Sequence, residues 1–241
     1  MSKQIEVKQL SKSFKGSSAL NNISFSVDKG QIFGFLGPSG AGKTTTINIL
    51  TGQLRPDSGG ATIFGKDVSS LTKHDFKRIG IMSDVVGFYE KMTVEDNLLF
   101  FAKFHKVSKE MVYDYLKKLD LYDSRHKKAE SLSVGMKQRL FLIRAILHNP
   151  EVVFLDEPTS GMDPGLAEKV HHLLFDLKSR GTTIFLTTHN MSEASKVCDY
   201  ITILHKGRIV ENGNPSDIIA RHSKQDAIEL TYASGKKIIV A

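Results

Sequence analysis

The stretch from Gly37 to Thr45 has the residue types and spacing of a phosphate-binding loop. Its first eight residues, Gly-Pro-Ser-Gly-Ala-Gly-Lys-Thr, fit the pattern G-x-x-x-x-G-K-[ST]. Glycines let the backbone wrap closely around a ligand, so that its N–H groups point inward at phosphate oxygens. Lys43 is predicted to reach the terminal phosphates as a point charge, and the Thr44 hydroxyl to ligate Mg²⁺. The predicted phosphate contacts are Gly37, Pro38, Ser39, Gly40, Ala41, Gly42, Lys43, Thr44 and Thr45.

A strand and a helix flank this loop, as phosphate binding requires. The nearly continuous apolar run from Gln31 to Leu36 predicts a buried strand. A helix is predicted to begin near Lys43, where its positive end would face the phosphates. The alternative is a chance glycine-rich turn, which would need neither flanking element.

A second chemical feature is the acidic end of an apolar run, Val-Val-Phe-Leu-Asp-Glu at 152–157. A carboxylate that emerges from a buried strand can hold Mg²⁺, which predicts Asp156 as a metal ligand. Glu157 beside it can orient or deprotonate an attacking water. Many strands end in acids, but this one follows a phosphate loop in an α/β chain, and that position strengthens the prediction.

A third feature is the stretch Leu-Ser-Val-Gly-Met-Lys-Gln-Arg at 132–139, just before a predicted helix. Ser133 can cap that helix, which would be a purely structural role. A helix N-terminus that carries a serine and a glycine is also a surface that can face phosphate. The residues alone leave both interpretations open.

Strands and helices alternate along the chain, which predicts an α/β fold with a mostly parallel sheet. Apolar periodicity and turn residues predict helices at 43 onward, 93–105, 108–119, 164–180 and 191–198. The predicted strands are 5–10, 23–27, 31–36, 61–64, 79–82, 152–155, 182–187, 201–205 and 208–211, with strand-like pieces at 228–232 and 237–240.

Composition and charge exclude several other classes of protein. The chain has 241 residues, 40% of them hydrophobic, which is ordinary for a globular protein. The single cysteine, Cys198, indicates a reducing compartment. No segment approaches the ~20 apolar residues that a membrane span needs, so a membrane role is expected to be peripheral. The net charge of +7 is dispersed and lacks interleaved aromatic residues, so no nucleic-acid partner is expected.

With these motifs in this order, the chain resembles the nucleotide-binding subunit of an ATP-binding-cassette (ABC) transporter over roughly residues 3 to 220. The phosphate loop matches the Walker A motif, residues 152–157 match Walker B, and 132–138 match the signature motif. Ser-Gly-Met-Asp at 160–163 matches the D-loop. Phe14 stands where the family places an aromatic that stacks on adenine. His189, which follows a predicted strand, matches the switch histidine.

The resemblance implies an active site that two subunits share. Two nucleotide-binding subunits, alike or different, would pair head to tail and bind ATP and Mg²⁺ between them. Ser133 and Gly135 of one subunit would face the γ-phosphate of the ATP held by the other. Lys43, Glu157 and His189 are the implied catalytic residues.

The resemblance also implies how the chain is organised and where it works. The expected fold is a P-loop NTPase core with a mostly parallel sheet, an antiparallel β subdomain at the N-terminus and a helical insert at about 85–150. Residues 1–220 would form a single ATPase domain, and 221–241 a short strand-like extension. Closing and reopening the dimer would drive transmembrane permease subunits on other chains. The subunit would therefore lie at the cytoplasmic face of the cell membrane.

The chain departs from the family pattern at two positions. Val134 replaces the first signature glycine, and a β-branched residue there narrows the backbone freedom next to phosphate. Gly135 is kept, so function is expected to survive. Asp84 stands where the family has a glutamine near the metal and the membrane partner. A carboxylate can also ligate Mg²⁺, so Asp84 is either a changed metal-side contact or a loop acid with no role.

Three kinds of ABC protein match these motifs. Met-Lys-Gln-Arg at 136–139, the single cassette and the short tail favour an exporter of drugs, antimicrobial peptides or lipids. An importer ATPase is the first alternative, and it would carry a long regulatory C-terminal domain or a different helical insert. A soluble ABC protein that acts on ribosomes or DNA is the second. Such proteins usually carry two cassettes or a coiled-coil insert.

Overall fold

A computed structural model describes residues 2–83 and 87–222, together with the backbone of 228–231 and 237–240. Its strands are Lys3–Phe14 (β1), Ser17–Asp28 (β2), Ile32–Leu36 (β3), Ser58–Ile63 (β4), Lys66–Asp67 (β5), Ile79–Met82 (β6), Val152–Asp156 (β7), Thr183–Thr188 (β8), Tyr200–His205 (β9), Arg208–Gly213 (β10), Ile228–Thr231 (β11) and Lys237–Val240 (β12). Its α-helices are Lys43–Leu50 (α1), Lys73–Phe76 (α2), Val94–His105 (α3), Lys109–Lys118 (α4), Val134–Ile146 (α5), Pro164–Ser179 (α6), Met191–Val197 (α7) and Pro215–His222 (α8).

The central sheet has six strands in the order β10-β9-β3-β8-β7-β6, and only β10 runs antiparallel to its neighbour. Strands β3, β7 and β8 are almost wholly buried, as expected where both faces of a parallel sheet are covered. The register aligns Leu36 with Thr188 and Asp156 with Thr187. The carboxyl ends of β3, β7 and β8 therefore meet at one edge of the sheet, where open α/β sheets bind their ligands.

A second, antiparallel sheet in the order β2-β1-β4-β5 covers one face of the central sheet. Its first hairpin turns at Lys15 and Gly16, which both have positive φ, as a two-residue type I′ turn requires. Aromatic rings fill the space between the sheets. Phe33 stacks on Phe185 with ring centroids 5.5 Å apart, and Phe25 lies 5.4 Å from Phe33. The predicted α/β class, with an antiparallel β subdomain at the N-terminus, is confirmed.

Helices α3, α4 and α5 pack together on the other side of the central sheet and bury residues such as Leu98, Leu116 and Leu140. Side chains cap all three, since Thr93, Ser108 and Ser133 each accept a hydrogen bond from the backbone N–H three residues on. These helices lie within the predicted insert at 85–150. Its limits as a separate part of the chain stay a prediction.

Helix α8 was not predicted from the sequence. The signal for it is short: Asn214 precedes Pro215, and proline suits the first position of a helix. The Asn214 side chain accepts a hydrogen bond from the Ser216 N–H at 3.0 Å. Only Pro215 and Ile218 of the helix are buried, so its apolar face is too narrow to stand out as periodicity. The predicted domain limit at residue 220 falls inside this helix.

A pair of histidines, His105 and His148, whose ring centroids are 4.2 Å apart and whose planes are tilted by 30°, joins α3 to the segment after α5. His148 donates a hydrogen bond through Nε2 to the Ile79 carbonyl at 3.2 Å. Burial, with a smaller contribution from His105, lowers the pKa of His148 from 6.5 to about 4. The folded protein therefore holds this ring neutral at pH values where an unfolded chain would protonate it.

This pKa difference predicts a loss of stability in mild acid. The stability that neutral His148 contributes is fully present above pH 6.5 and is lost as the pH falls towards 4. Between pH 7 and pH 5 the wild type should lose about 2 kcal/mol of unfolding free energy relative to His148→Asn. Urea unfolding at both pH values measures this difference. The exposed His172→Asn serves as the control, and equal losses in wild type and His148→Asn would contradict the prediction.

Candidate functional site

The loop between β3 and α1 presents backbone N–H groups at the start of a helix. Gly40 and Gly42 have φ values of 77° and 113°, in the left-handed region that favours glycine. Gly42 is the residue before α1, and no side chain caps that helix. The first N–H groups of a helix have no partner within it, and the positive end of the helix dipole adds to their attraction for anions. A loop of this geometry can bind phosphate oxygens.

Side chains would not fit at two of the loop glycines. A Cβ on Gly37 would stand 2.3 Å from the Leu204 carbonyl oxygen, and one on Gly42 would stand 2.6 Å from the Ala19 carbonyl oxygen. The loop thus packs directly against backbone from β9 on one side and β2 on the other. Tertiary packing, as well as backbone conformation, accounts for glycine at these positions.

The Lys43 ammonium lies inside the loop and its side chain is 8% exposed. It donates hydrogen bonds to the carbonyl oxygens of Gly37 at 2.7 Å and Pro38 at 3.3 Å. It also lies 3.3 Å from Glu157 Oε1. The loop carbonyl oxygens and the distant Glu157 thus hold this positive charge at the base of the loop.

Asp156, at the end of β7, accepts hydrogen bonds from two threonine hydroxyls. Thr44 Oγ1 donates to Asp156 Oδ2 at 2.7 Å. Thr187 Oγ1 donates to Asp156 Oδ1. The parallel register of β7 and β8 sets Thr187 beside Asp156. Thr187 therefore holds one oxygen of the carboxylate, and the other oxygen faces Thr44 in the helix that follows the loop.

The Glu157 carboxylate links Lys43 to His189. Its Oε2 accepts a hydrogen bond from His189 Nδ1 at 2.6 Å, while Oε1 lies 3.3 Å from Lys43 Nζ. Glu157 has a φ of 50°, which is uncommon for a residue with a side chain. Its N–H donates to both Oγ1 and the carbonyl oxygen of Thr187, at 3.1 and 3.2 Å. Strand β8 therefore holds this conformation, which turns the carboxylate towards the loop.

These groups border a polar cavity of about 420 Å³, within the roughly 300–1,000 Å³ usual for ligand pockets. The residues that line the cavity are Ala19, Ser39, Gly40, Ala41, Gly42, Lys43, Thr44, Thr45, Gln138, Asp156, Glu157 and Ser160. Two catalytic candidates, Lys43 and Glu157, thus share a cavity with both described metal-ligand candidates, Thr44 and Asp156. His189 joins this group through its hydrogen bond to Glu157.

Several other predicted residues lie away from this cavity. Gly37 and Pro38 border a second, mainly apolar cavity, which also contacts His189. Phe14 is 46% exposed beside the turn of the first hairpin. Ser133 caps α5. Gly135, two residues on, faces the Gly161 carbonyl oxygen, and a Cβ added to Gly135 would lie 3.3 Å from that oxygen.

Asp84, the predicted metal-side contact, lies outside the described residues. Its role stays a prediction.

Comparison with known proteins identifies the family. A family model described as ABC transporter matches residues 20–160. The chain belongs to the ABC transporter family. It is 40% identical over 212 residues to the fluoroquinolones export ATP-binding protein of Mycobacterium tuberculosis, covering 88% of this chain and 70% of that protein. It is also 36% identical over 242 residues to the bacitracin transport ATP-binding protein of Bacillus licheniformis, covering 100% and 78%.

A solved structure of an ATP-binding subunit of an ABC transporter has the same fold. It matches with a TM-score of 0.80 and 28% identity, over 90% of this chain and 92% of that one. The ABC subunit described here thus binds and hydrolyses ATP to drive transport. Subunits of this kind act with transmembrane components and form dimers. Within residues 2–83 and 87–222, the ABC subunit has no helix that is both long and apolar enough to cross a membrane.

Four residues of this ABC subunit's site were not predicted individually. Thr187 carries the strongest sequence signal, because the threonine pair Thr187 and Thr188 follows three apolar residues at the end of β8. Ala19 lines the cavity from the hairpin strand β2, and nothing in its residue type indicates this. Gln138 and Ser160 were predicted only as parts of the signature motif and the D-loop, yet both line the cavity of their own chain.

Proposed function

We propose that this chain is the nucleotide-binding subunit of an exporter, and that the polar cavity at the Walker A loop is its ATP site. The observation that carries the proposal is the convergence of Lys43, Thr44, Asp156 and Glu157 on one cavity at the carboxyl edge of the parallel sheet. Phosphate binds the loop's N–H groups and the Lys43 ammonium. Nucleotide entry therefore draws Lys43 away from the Gly37 carbonyl oxygen, its present partner at 2.7 Å.

The donor set at this cavity fits Mg²⁺. Thr44 Oγ1 and Asp156 Oδ2 lie 2.7 Å apart, and both are hard oxygen donors of the kind this ion prefers. These two residues would hold the ion, Asp156 directly or through water. When bound, the ion neutralises charge on the β- and γ-phosphates. Asp84 stays a proposed third contact.

Glu157 is the group proposed to act on the attacking water. Its carboxylate stands beside Lys43, where the terminal phosphate would lie. Once Lys43 binds phosphate, Oε1 of Glu157 is released to accept a hydrogen bond from water and orient it. His189 keeps the other oxygen, Oε2, through its 2.6 Å hydrogen bond. The histidine thus fixes the direction in which the carboxylate faces.

Ser133 and Gly135 are proposed to complete the site of a second nucleotide-binding subunit. Both are placed at the N-terminus of α5, whose first N–H groups attract anions. Val134 between them is 73% exposed, so its side chain points away from the core and leaves this helix start open. Phe14, also exposed, is proposed to stack on adenine beside the loop.

Export is the proposed direction, through separate permease subunits at the cytoplasmic face of the membrane. The support comes from the relatives, since the mycobacterial protein is an export ATP-binding protein and the Bacillus protein serves bacitracin transport. These two relatives are named for different cargoes, although each is similar to this chain. Cargo choice is therefore assigned to the permease.

Recovery of the chain from membranes tests this function. An affinity-tagged Glu157→Gln chain, expressed in its host and solubilised in mild detergent with Mg²⁺-ATP, should co-purify with a transmembrane protein that mass spectrometry identifies. The tagged Lys43→Ala chain, which should bind ATP weakly, is the matched control that shows whether co-purification depends on bound ATP. Recovery with ribosomal or DNA-bound proteins would instead support the soluble alternative. Recovery together with a solute-binding protein would support an importer.

A further inference from the structure

A buried carboxylate outside the ATP cavity connects the turn at Thr159 to the segment that contains His189. Glu193 lies in the first turn of α7 and is 8% exposed. Burying a carboxylate is unfavourable unless hydrogen bonds satisfy its oxygens. Both oxygens of Glu193 are satisfied, by three side chains from three separate segments.

The first segment is the turn that precedes the D-loop. The Thr159 hydroxyl donates to Glu193 Oε1. Thr159 follows Glu157 by two residues and adjoins Ser160, which lines the ATP cavity. Glu193 thus holds the chain just beyond the proposed water-orienting residue.

The second segment, Thr188–Asn190, contains His189 and is called here the switch segment. The Thr188 hydroxyl donates to Glu193 Oε2 at 2.8 Å and accepts from the Asn190 N–H at 3.0 Å. The Asn190 side chain in turn accepts from the Glu193 N–H at 3.2 Å. The residues on both sides of His189 are therefore tied to Glu193, while the His189 ring itself is 64% exposed.

The third contact comes from α6. His171 is 7% exposed and donates through Nε2 to Glu193 Oε1 at 3.2 Å. Its neighbour His172 is exposed, as expected for adjacent residues that face different directions on a helix. His171 thus contacts Oε1 of the carboxylate, whereas the switch segment contacts Oε2.

We propose that Glu193 is a positioning residue for ATP hydrolysis, which fixes the distance between the turn at Thr159 and the switch segment so that His189 stays hydrogen-bonded to Glu157. The inference rests on the roles proposed above for Glu157 and His189. A carboxylate is needed because hydroxyl and imidazole donors approach both of its oxygens. A glutamine offers one acceptor oxygen, and its NH₂ group would face a donor.

The first test compares Glu193→Gln with wild type in steady-state ATP hydrolysis and in binding of Mg²⁺-ATP. The variant should lower kcat at least tenfold while the Kd for Mg²⁺-ATP changes less than threefold. Glu168→Gln is the matched control, because Glu168 contacts His171 from the exposed side. This control should keep both values within twofold of wild type.

A second pair of variants separates positioning from folding. Thr188→Val removes the hydroxyl that ties the switch segment to Glu193, and Thr188→Ser restores it. The valine variant should lose kcat as Glu193→Gln does, and serine should rescue most of it. The pair decides the question if Glu193→Gln fails to fold.

Three results would overturn the inference. The first is a folded Glu193→Gln with kcat within tenfold of wild type. The second is a loss that appears in the Kd for Mg²⁺-ATP instead of in kcat. The third is a loss of kcat in Thr188→Val that Thr188→Ser does not rescue. Glu157→Gln measured in parallel distinguishes the two proposals, because normal turnover in that variant removes Glu157, on whose role the inference rests, from the mechanism. Inactive Glu157→Gln beside normal Glu193→Gln overturns only the inference.

Discussion

Replacing Glu157 with glutamine should lower ATP turnover by about 10²–10⁴-fold, the range of general-base contributions, and leave ATP binding intact. The amide has nearly the same shape, so the hydrogen bond from His189 to Glu157 can persist through the amide oxygen. The amide, unlike the carboxylate, cannot accept a proton from water. Single-turnover hydrolysis and fluorescent-nucleotide binding measure the two effects separately.

The matched control for this change is Glu151→Gln. Glu151 lies just before the other end of β7 and pairs with Arg78 at the protein surface. Surface ion pairs contribute about 0–1 kcal/mol, so Glu151→Gln should keep wild-type turnover. Turnover near wild type in Glu157→Gln would remove Glu157 from the mechanism. A loss of binding equal to the loss of turnover would make it a binding residue instead.

Replacing Lys43 with alanine should weaken ATP binding by about 30-fold to several thousand-fold and abolish measurable turnover. Loss of one partner of a buried, hydrogen-bonded charge pair costs about 2–5 kcal/mol, which corresponds to this range. Lys43 also supports the loop itself, through hydrogen bonds to the Gly37 and Pro38 carbonyl oxygens. Titration calorimetry with Mg²⁺-ATP measures the loss of affinity.

The control for Lys43→Ala is Lys8→Ala, which removes the same charge from an exposed pair with Glu6. It should leave the affinity for ATP unchanged within twofold. Thermal unfolding of both variants with and without Mg²⁺-ATP distinguishes a damaged loop from a lost ligand contact. A damaged loop lowers the unfolding temperature without ATP, whereas a lost contact removes only the increase that bound ATP produces. Wild-type affinity in a folded Lys43→Ala would contradict the assignment of this cavity as the ATP site.

The strands and helices near the site could be predicted closely because their signals are local. Strand β6 was predicted at 79–82, as observed, and α6 within one residue of its end. Helix α8 was not predicted because it buries only two residues, which is too few to produce a visible apolar periodicity. The same locality explains why the loop at 37–45 was recognisable. All its phosphate-facing groups are consecutive in the chain, so residue order alone carries the motif.

The sequence by itself determined which residue types are available for chemistry: the glycines and Lys43 of the loop, and the acids that end β7. Their partners were decided only by the tertiary structure. The parallel register of β7 and β8 sets Thr187 beside Asp156 and brings His189 to Glu157. The packing of α6 and α7 beside the sheet likewise gathers the contacts of Glu193 from three separate segments. Sheet pairing joins residues about 30 positions apart, and no local pattern encodes such pairs, because side-chain hydrogen bonds depend on distance in space.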